Sequence, residues 1–245
     1  MHPTLLKFLS PLQPQLTYYP TTFLWVDDDK NMLNTMLLFF KNKNCFHSFT
    51  SGKECLDFLA HYKSPLLKYN FLKANFQDER YGLAHHLPMD FDLTKLSALS
   101  KDKTRHDEIT ALVVDYKMPA MDGFELARKL KESPIQKILL TGNKNDSKTI
   151  EGFNNNLIQR FAQKGTDSLI SILSKHLKEL SNQYFQNASA PLLSYLESEE
   201  KLPLSDPTFV YFFETYQNEN DITEYYLIDR QGSFFALILK ATTLF

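Results

Sequence analysis

The alternation of strand and helix patterns constrains the fold of this chain more than any other feature of its sequence. The first pair is TFLWV (22–26) and the stretch after it, in which Leu33, Met36, Leu37 and Phe40 recur at helical spacing. Strands that alternate with helices lie parallel and are joined by right-handed crossovers. The pattern therefore predicts an α/β fold, a doubly wound parallel sheet of five strands with helices on both faces.

Four further strand patterns follow, and each leads into a helical pattern. A doubly wound sheet of this kind has the strand order 2-1-3-4-5, and its ligands bind beyond the carboxyl ends of the strands. The strands are CFHSFT (45–50), EITALVVDY (108–116), QKILLTG (136–142) and LIQRFAQK (157–164), and helices follow them from residues 51, 122, 146 and 167.

The segment from residue 65 to residue 108 interrupts the alternation. It is too long for an ordinary connection and too aromatic for a disordered linker. Two helical patterns within it, at 65–76 and 92–103, indicate an inserted and partly helical lobe. The sequence therefore predicts a central domain over residues 21–182 that carries a helical insert.

Further regions flank this central domain. Residues 1–20 contain four prolines and predict an N-terminal arm, and residues 183–204 predict a linker. In 205–245, Asp206 and Pro207 are a favourable N-cap and first residue for a helix. The runs TEYYLID and FFALIL then flank a short turn. This last region predicts a small C-terminal α+β extension, and the sequence leaves its completeness open.

Composition narrows the class of protein. The net charge of −2 provides no general attraction to nucleic acid or to an anionic membrane. The longest apolar runs are far shorter than the roughly 20 residues that cross a bilayer, and the N-terminus has no secretory pattern. The two cysteines, Cys45 and Cys55, lack metal or redox spacing and fit reduced core thiols. We therefore expect a cytoplasmic protein without a membrane span.

Polar residues stand at the carboxyl ends of four predicted strands. Because these ends meet at one edge of a parallel sheet, we expect the side chains to converge. Clustered carboxylates repel one another unless a cation neutralises them. The residues are Asp27, Asp28 and Asp29 after the first strand, Asp115 at the end of the third, Thr141 at the end of the fourth and Lys164 at the end of the fifth.

These residue types together favour phosphoryl chemistry. A carboxylate-rich site with only oxygen ligands suits Mg²⁺, which also bridges to phosphate oxygens. A carboxylate can attack phosphorus and form an aspartyl phosphate. An ammonium and a hydroxyl group are suitable partners for the oxygens of that phosphoryl group. An isolated aspartate at a strand end more often caps a turn, so the interpretation of Asp115 depends on the whole set.

Four segments of the chain resemble the signature segments of the receiver domain of two-component response regulators. They are FLWVDDDKN, LVVDYKMPAMDGFEL, ILLTGN and RFAQKG, and they occur in the family's order. The resemblance covers residues 20–182 apart from the insert. It implies the flavodoxin-like receiver fold, phosphorylation in the presence of Mg²⁺, and a histidine kinase or phosphotransfer protein as the phosphodonor.

The resemblance also implies a role for each matched residue. Asp115 corresponds to the phosphoacceptor. Asp27 and Asp28, together with Asp115 and the backbone carbonyl of Lys117, correspond to the Mg²⁺ ligands. Lys164 corresponds to the lysine that pairs with the phosphoryl group. The switch residues correspond to Thr141 and Phe161, and Gly142 holds the position of a small residue beside the phosphate.

Two features depart from the family pattern. Gly165 stands where the family has a proline after a cis bond. Since a cis bond before a non-proline residue costs about 2.5–4 kcal/mol, we expect a trans bond here. Asp28 and Asp115 are 87 residues apart, about twice the family's spacing, because the 65–108 insert lies between them. We expect the insert to lie away from the cleft and to leave the chemistry of the site intact.

The function that these features predict is a phosphorylation-driven switch, not turnover of a metabolite. Phosphorylation of Asp115 would draw Thr141 and Phe161 inward. It would also change the partners of the face formed by the fourth predicted helix (from 146), the fifth predicted strand (157–164) and the fifth predicted helix (from 167). One alternative is a Mg²⁺-dependent haloacid-dehalogenase-type phosphatase, although Lys30-Asn31 replaces the expected Gly-Thr. The other is a degenerate receiver that acts only as a protein-binding module.

The output of the switch is less defined by the sequence. Residues 186–245 contain three basic and nine acidic residues. Phosphate contacts dominate DNA affinity, so this excess of negative charge argues against direct DNA binding. We expect a downstream protein partner, and the long helix from Asp167 is a candidate element of a homodimer. His85-His86 have no cysteine or carboxylate at ligand spacing, so we interpret them as packed or exposed histidines.

Overall fold

The computed structural model of the 245-residue chain describes residues 15–40, 46–69, 72–74, 89–142, 156–199, 203–229 and 231–238. The chain divides into two compact units. The first, called the sheet unit, contains the described residues of Pro20–Lys68 and Lys103–Tyr184. The second, called the accessory unit, contains the described residues of Met1–Tyr19, Tyr69–Asp102 and Phe185–Phe245.

Strands and helices are numbered in chain order. The strands are β1 Thr17–Tyr18, β2 Thr22–Val26, β3 Phe46–Phe49, β4 Leu72–Ala74, β5 Met89–Phe91, β6 Ile109–Asp115, β7 Gln136–Thr141, β8 Arg160–Gln163, β9 Glu224–Leu227 and β10 Phe234–Leu237. The helices are α1 Lys30–Phe40, α2 Gly52–His61, α3 Pro65–Lys68, α4 Thr94–Lys101, α5 Gly123–Lys129, α6 Leu169–Glu199 and α7 Pro207–Glu219. Short 3₁₀ turns occur at Lys103–Asp107 and Pro203–Ser205.

The sheet unit is built on five parallel strands in the order β3-β2-β6-β7-β8. This order is the expected 2-1-3-4-5, so the predicted doubly wound fold is confirmed. Every residue of β2 and β6 is buried. Continuous burial is expected for central strands of a parallel sheet, because helices cover both of their faces.

An apolar core lies on each face of this sheet, because successive residues of a strand point to opposite faces. Leu112 of β6 lies in one core with Cys55 of α2 and Phe124 of α5. Val113 of β6 lies in the other core with Leu173 of α6 and with residues of α1. Burial raises the pKa of the Cys55 thiol to about 12, which suits the predicted reduced core thiol.

Helix starts agree with the capping patterns of the sequence. The Ser51 hydroxyl accepts a hydrogen bond from the Glu54 N–H at the start of α2, and the Glu54 carboxylate accepts one from the Thr50 N–H. Asp206 accepts a hydrogen bond from the Thr208 N–H at the start of α7. The helix start predicted at Asp206-Pro207 is therefore confirmed.

The accessory unit contains an antiparallel sheet in the order β1-β9-β10. Strands β9 and β10 are the predicted pair near the C-terminus, which confirms the small α+β extension. Strand β1 comes from the segment predicted as an N-terminal arm. The Thr17 hydroxyl donates a hydrogen bond to the Tyr225 carbonyl, 208 residues further along the chain. Beside this sheet the rings of Tyr19 and Phe185 pack edge to face, with centroids 4.7 Å apart.

The insert contains one of its two predicted helices in nearly the predicted place. Helix α4 lies within the pattern at 92–103. The helix predicted over 65–76 is wrong for the described residues after Lys68, where α3 ends. Strand β4 follows and pairs antiparallel with β5. The pairing of such a short strand depends on its partner strand, which helical spacing in the sequence cannot reveal.

Helix α6 is longer than its sequence pattern predicts. Its 31 residues pass through 183–199, where the sequence predicts a linker with a helical stretch, and Pro191 lies inside the helix. Residues up to Tyr184 belong to the sheet unit, and residues from Phe185 belong to the accessory unit. The domain bounds drawn from the sequence stay predictions.

Some predictions concern residues outside the described part of the chain. They are most of the helix at 146–156, the His85-His86 pair and Cys45. Among the helices that the structure describes, none combines the length and the apolar character needed to span a membrane.

Candidate functional site

Four side chains of the predicted set lie at one edge of the five-stranded sheet. Asp27 directly follows β2, Asp115 ends β6, Thr141 ends β7 and Lys164 directly follows β8. The Lys164 backbone N–H donates a hydrogen bond to the Thr141 carbonyl at 3.0 Å. The parallel register thus brings residues from four separate segments to one edge.

Three carboxylates form a cluster at this edge. One oxygen each of Asp27, Asp28 and Asp115 lies within 4.8 Å of the other two. Asp27 is fully buried, Asp115 is buried, and Asp28 is exposed. Carboxylates this close destabilise one another unless positive charge is near. The chain provides part of that charge itself.

Lys164 provides a positive charge to two of the three carboxylates. Its Nζ lies 2.8 Å from Oδ2 of Asp27 and 3.0 Å from Oδ1 of Asp115. The Lys164–Gly165 bond is trans, as predicted, and Gly165 has a φ of +75°, a backbone conformation that glycine adopts readily. The glycine in place of the family's proline therefore does not prevent the lysine from reaching the carboxylates.

The protonation properties of the pair follow from burial and charge. Burial raises the pKa of Asp115, and the charges of Asp27 and Asp28 act in the same direction. The hydrogen bond and charge of Lys164 oppose this rise without cancelling it. Burial lowers the pKa of Lys164, but Asp27 and Asp115 outweigh burial and leave the pKa of Lys164 above its usual value. Lys164 is therefore an ammonium at neutral pH.

Asp29 helps to hold the Asp27 carboxylate in place, a role that the sequence did not predict. Its backbone N–H donates a hydrogen bond to Oδ1 of Asp27 at 3.1 Å. Its carboxylate accepts a hydrogen bond from the Asn31 N–H at 2.9 Å and so caps the start of α1. Asp29 is not a member of the carboxylate cluster. An Asp one residue before a helical pattern is an N-cap signal, and that signal was available in the sequence.

The turn after β6 is packed tightly against the backbone of Asp115. A Cβ atom on Gly123 would lie 2.5 Å from the Asp115 carbonyl oxygen, far inside a normal contact. The Gly123 N–H donates a hydrogen bond to the Tyr116 carbonyl at 3.0 Å. Asp122 caps α5 by accepting a hydrogen bond from the Glu125 N–H. The Asp-Gly pair therefore holds the turn that carries Asp115.

The remaining predicted residues occupy different environments. Thr141 is buried at the end of β7, and Phe161 on β8 is 36% exposed. Lys117 is exposed in the turn after β6. A Cβ atom on Gly142 would meet no described atom within 4 Å, so the described surroundings do not require glycine there. The predicted switch roles of Thr141 and Phe161 stay predictions.

The donor set fits Mg²⁺. The clustered groups are carboxylates, and oxygen ligands of this kind suit a hard divalent cation. Three carboxylates and one ammonium leave an excess of negative charge, which such a cation would neutralise. The exposed Asp28 leaves one side of the cluster accessible to an ion and to water.

Comparison with known proteins agrees with this description. No protein-family model and no curated protein sequence matches the chain. Among solved structures, the chain is similar to the response regulator LqsR of Legionella pneumophila, with a TM-score of 0.69 and 28% identity. That match covers 94% of this chain and 66% of the Legionella chain, so this chain spans less than two thirds of the length of that protein.

A second solved structure supports the fold alone. The chain is similar to the adenylate cyclase from Rhodopirellula baltica, with a TM-score of 0.50 and 20% identity. The match covers 71% of this chain and 96% of the other. Together, the strand order and the likeness to the Legionella regulator show that the sheet unit has the fold of a response-regulator receiver domain, and the chain adds an insert and a C-terminal α+β extension.

Proposed function

We propose that this chain is a response regulator that accepts a phosphoryl group on Asp115. The observation that carries the proposal is the position of Lys164, whose Nζ lies 3.0 Å from Asp115 and 2.8 Å from Asp27 at the edge of the sheet. The lysine stands beside the candidate nucleophile, where it can also contact the oxygens of an incoming phosphoryl group.

The chemistry of the transfer assigns a task to each residue. An oxygen of Asp115 attacks phosphorus and the new P–O bond forms, while the bond from phosphorus to the histidine nitrogen of the donor protein breaks and leaves its electron pair on that nitrogen. Lys164 offsets the negative charge of the phosphoryl group after transfer. Asp27, Asp28, Asp115 and the Lys117 carbonyl would hold Mg²⁺. When bound, the ion would neutralise the carboxylates and the phosphoryl oxygens.

The proposed partners follow from this role. A histidine kinase or phosphotransfer protein would supply the phosphoryl group, and movement of Thr141 and Phe161 would alter a surface for a downstream protein. The excess of acidic residues over 186–245 supports a protein target and not DNA. A homodimer through α6 stays a prediction.

The two alternatives have less support. A phosphatase of the haloacid-dehalogenase type would need Asp29 as a second catalytic acid, but its carboxylate caps α1 and lies outside the cluster. A degenerate receiver would be expected to lack a complete set of charged residues at the strand ends. The contacts of Lys164 with Asp27 and Asp115 argue against that interpretation.

A labelling experiment separates the three functions. The full chain is incubated with a small acyl phosphate and Mg²⁺, and its mass is measured with time. We expect one added phosphoryl group, loss of labelling in Asp115→Asn or with a chelator, and normal labelling in Asp57→Asn, which changes an exposed carboxylate of α2. Steady release of phosphate without a labelled chain would support the phosphatase. The absence of any labelling would support the binding module.

A further inference from the structure

A buried polar cluster lies at the other end of β6 from Asp115, within the sheet unit. Its hub is Glu108, the residue before β6, whose side chain is fully buried. Asp115 is at the far end of the strand, about 20 Å away by the usual rise of a strand residue. None of the residues that contact the Glu108 side chain belongs to the proposed phosphorylation site.

The Glu108 carboxylate accepts hydrogen bonds from two segments of the sheet unit. The Ser64 hydroxyl lies 2.8 and 2.9 Å from its two oxygens, and the Leu66 N–H donates to Oε2 at 2.7 Å. The Tyr184 hydroxyl of α6 donates to Oε1. Burial raises the pKa of Glu108 above its usual value, and the hydrogen bonds of these three donors offset only part of the rise. The cluster thus joins the start of α3 to helix α6.

A second polar contact lies one turn earlier on α6. The hydroxyl groups of Thr21, Thr110 and Ser181 form a closed triangle, with oxygen–oxygen distances of 2.8, 2.8 and 2.9 Å. Thr110 is two residues beyond Glu108, and Ser181 is three residues before Tyr184. Strand β6 and helix α6 are therefore joined by two adjacent sets of hydrogen bonds.

These contacts differ in kind from the rest of the packing of α6. Leu169, Leu173 and Leu180 of α6 lie in an apolar core. Apolar contacts are not directional, whereas hydrogen bonds to fixed groups define one register and one rotation of a helix. Residues 181 and 184 are the last turn of α6 inside the sheet unit, and the same helix continues through Phe185 into the accessory unit.

We propose that this cluster, called the root clamp (Thr21, Ser64, Glu108, Thr110, Ser181 and Tyr184), fixes α6 on β6 and transmits the phosphorylation state to residues 185–199. The transmission rests on the proposed function, and the fixing of the helix does not. Loss of the clamp leaves the chemistry at Asp115 unchanged, because the clamp is at the opposite end of the strand. It uncouples that chemistry from the second half of α6.

The test is hydrogen exchange measured by mass spectrometry on the full chain, before and after labelling with an acyl phosphate. Tyr184→Phe removes one hydroxyl group and keeps the ring. Tyr211→Phe, on an exposed side chain of α7, is the matched control. We expect Tyr184→Phe to raise exchange over 181–193 by about tenfold. We also expect it to be labelled like the wild type and to lose the phosphorylation-linked change over 185–193 that the wild type shows.

Ser181→Ala is a second variant, which tests the hydroxyl triangle separately and is expected to act in the same direction. Normal labelling with wild-type exchange in both variants would overturn the clamp and leave the proposed function standing. A wild-type chain that is labelled without any change over 185–193 would overturn the transmission alone. A wild-type chain that is not labelled would overturn the proposed function and the transmission that rests on it. Hydrogen exchange in the unlabelled variants would still test whether the clamp fixes α6.

Discussion

Gly123 approaches the carbonyl oxygen of Asp115 more closely than any residue with a side chain could. A Cβ atom there would lie 2.5 Å from that oxygen and 3.0 Å from Cδ1 of Leu139. We expect Gly123→Ala to lower the free energy of unfolding by about 1–3 kcal/mol, because overpacking forces the backbone to move. Labelling of Asp115 should slow in the same variant.

Gly142→Ala is the matched control for this prediction. A Cβ atom at Gly142 meets no described atom within 4 Å, so we expect a change in unfolding free energy within about 0.5 kcal/mol. Denaturant titration of both variants provides the measurement. Equal losses of stability at Gly123 and Gly142 would contradict the account of the turn after β6.

The charge of Asp115 is expected to destabilise the folded chain when no metal is bound. Its pKa in the fold is raised above the usual 3.8, first by burial and then by Asp27 and Asp28. A carboxyl group whose pKa is raised on folding adds no penalty below its unfolded pKa. The penalty grows as pH rises through the interval between the two values and is complete above the raised value.

Asp115→Asn removes this penalty. Without Mg²⁺ we expect the variant to have a higher melting temperature than the wild type at pH 7, and the difference to shrink as pH falls toward 3.8. Thermal unfolding over this pH range provides the test. A variant less stable than the wild type at pH 7 would show that the ion pair with Lys164 outweighs burial, contrary to this account.

At the scale of elements, the start of α1 positions the carboxylate cluster. The Asp29 carboxylate caps the helix, and the Asp29 N–H holds Oδ1 of Asp27. We expect Asp29→Ala to cost about 1 kcal/mol of stability through the lost cap. We also expect labelling of this variant to need a higher Mg²⁺ concentration, because Asp27 is held less firmly. Asp29→Asn keeps an N-cap oxygen and should retain both properties.

Calorimetric unfolding and labelling at several Mg²⁺ concentrations measure these effects. The same pair of variants bears on the phosphatase alternative, because a second catalytic aspartate would not tolerate Asp29→Asn. Loss of all activity in Asp29→Asn, with stability unchanged, would contradict the positioning role.

The two central strands, β2 and β6, could be predicted from the sequence because they are buried along their whole length. Every residue of β6 is buried, and its apolar run is visible without knowledge of its partners. Strand β1 could not be found in this way, because Thr17–Tyr18 is short and pairs with Tyr225–Tyr226. Strand β4 was assigned to a helix for the same reason. Local periodicity does not contain long-range pairing.

The candidate site shows a similar division. The convergence of the strand-end residues could be predicted from the order of the elements, because a parallel sheet brings the carboxyl ends of its strands together. The contact of the Asp29 N–H with Asp27 could not, since it depends on the path of the loop between β2 and α1. The reach of Lys164 despite Gly165 also depends on loop geometry that no spacing rule describes.

For the molecule as a whole, the described residues of Met1–Tyr19, Tyr69–Asp102 and Phe185–Phe245 form one compact unit, and those of Pro20–Lys68 and Lys103–Tyr184 form the other. The sequence predicts the parts of the accessory unit separately, as an arm, an insert, a linker and an extension. Their grouping could not be predicted, because the contacts that join them connect segments far apart along the chain. Helix α6 belongs to both units, and the root clamp at Glu108 lies where that helix leaves the sheet unit. Phosphorylation of Asp115 is the event that this arrangement would report.

Asp115 is the proposed acceptor of the phosphoryl group. To test this, the full chain is labelled with a small acyl phosphate and Mg²⁺. The aspartyl phosphate formed on the chain is then reduced with borohydride, and the reduced aspartate is located by peptide mass spectrometry. We predict a single reduced residue, Asp115, in a yield that falls to background when Mg²⁺ is chelated. Reduction at Asp27, the position a phosphatase of the alternative type would use, or at no aspartate of the chain would show that Asp115 is not the acceptor.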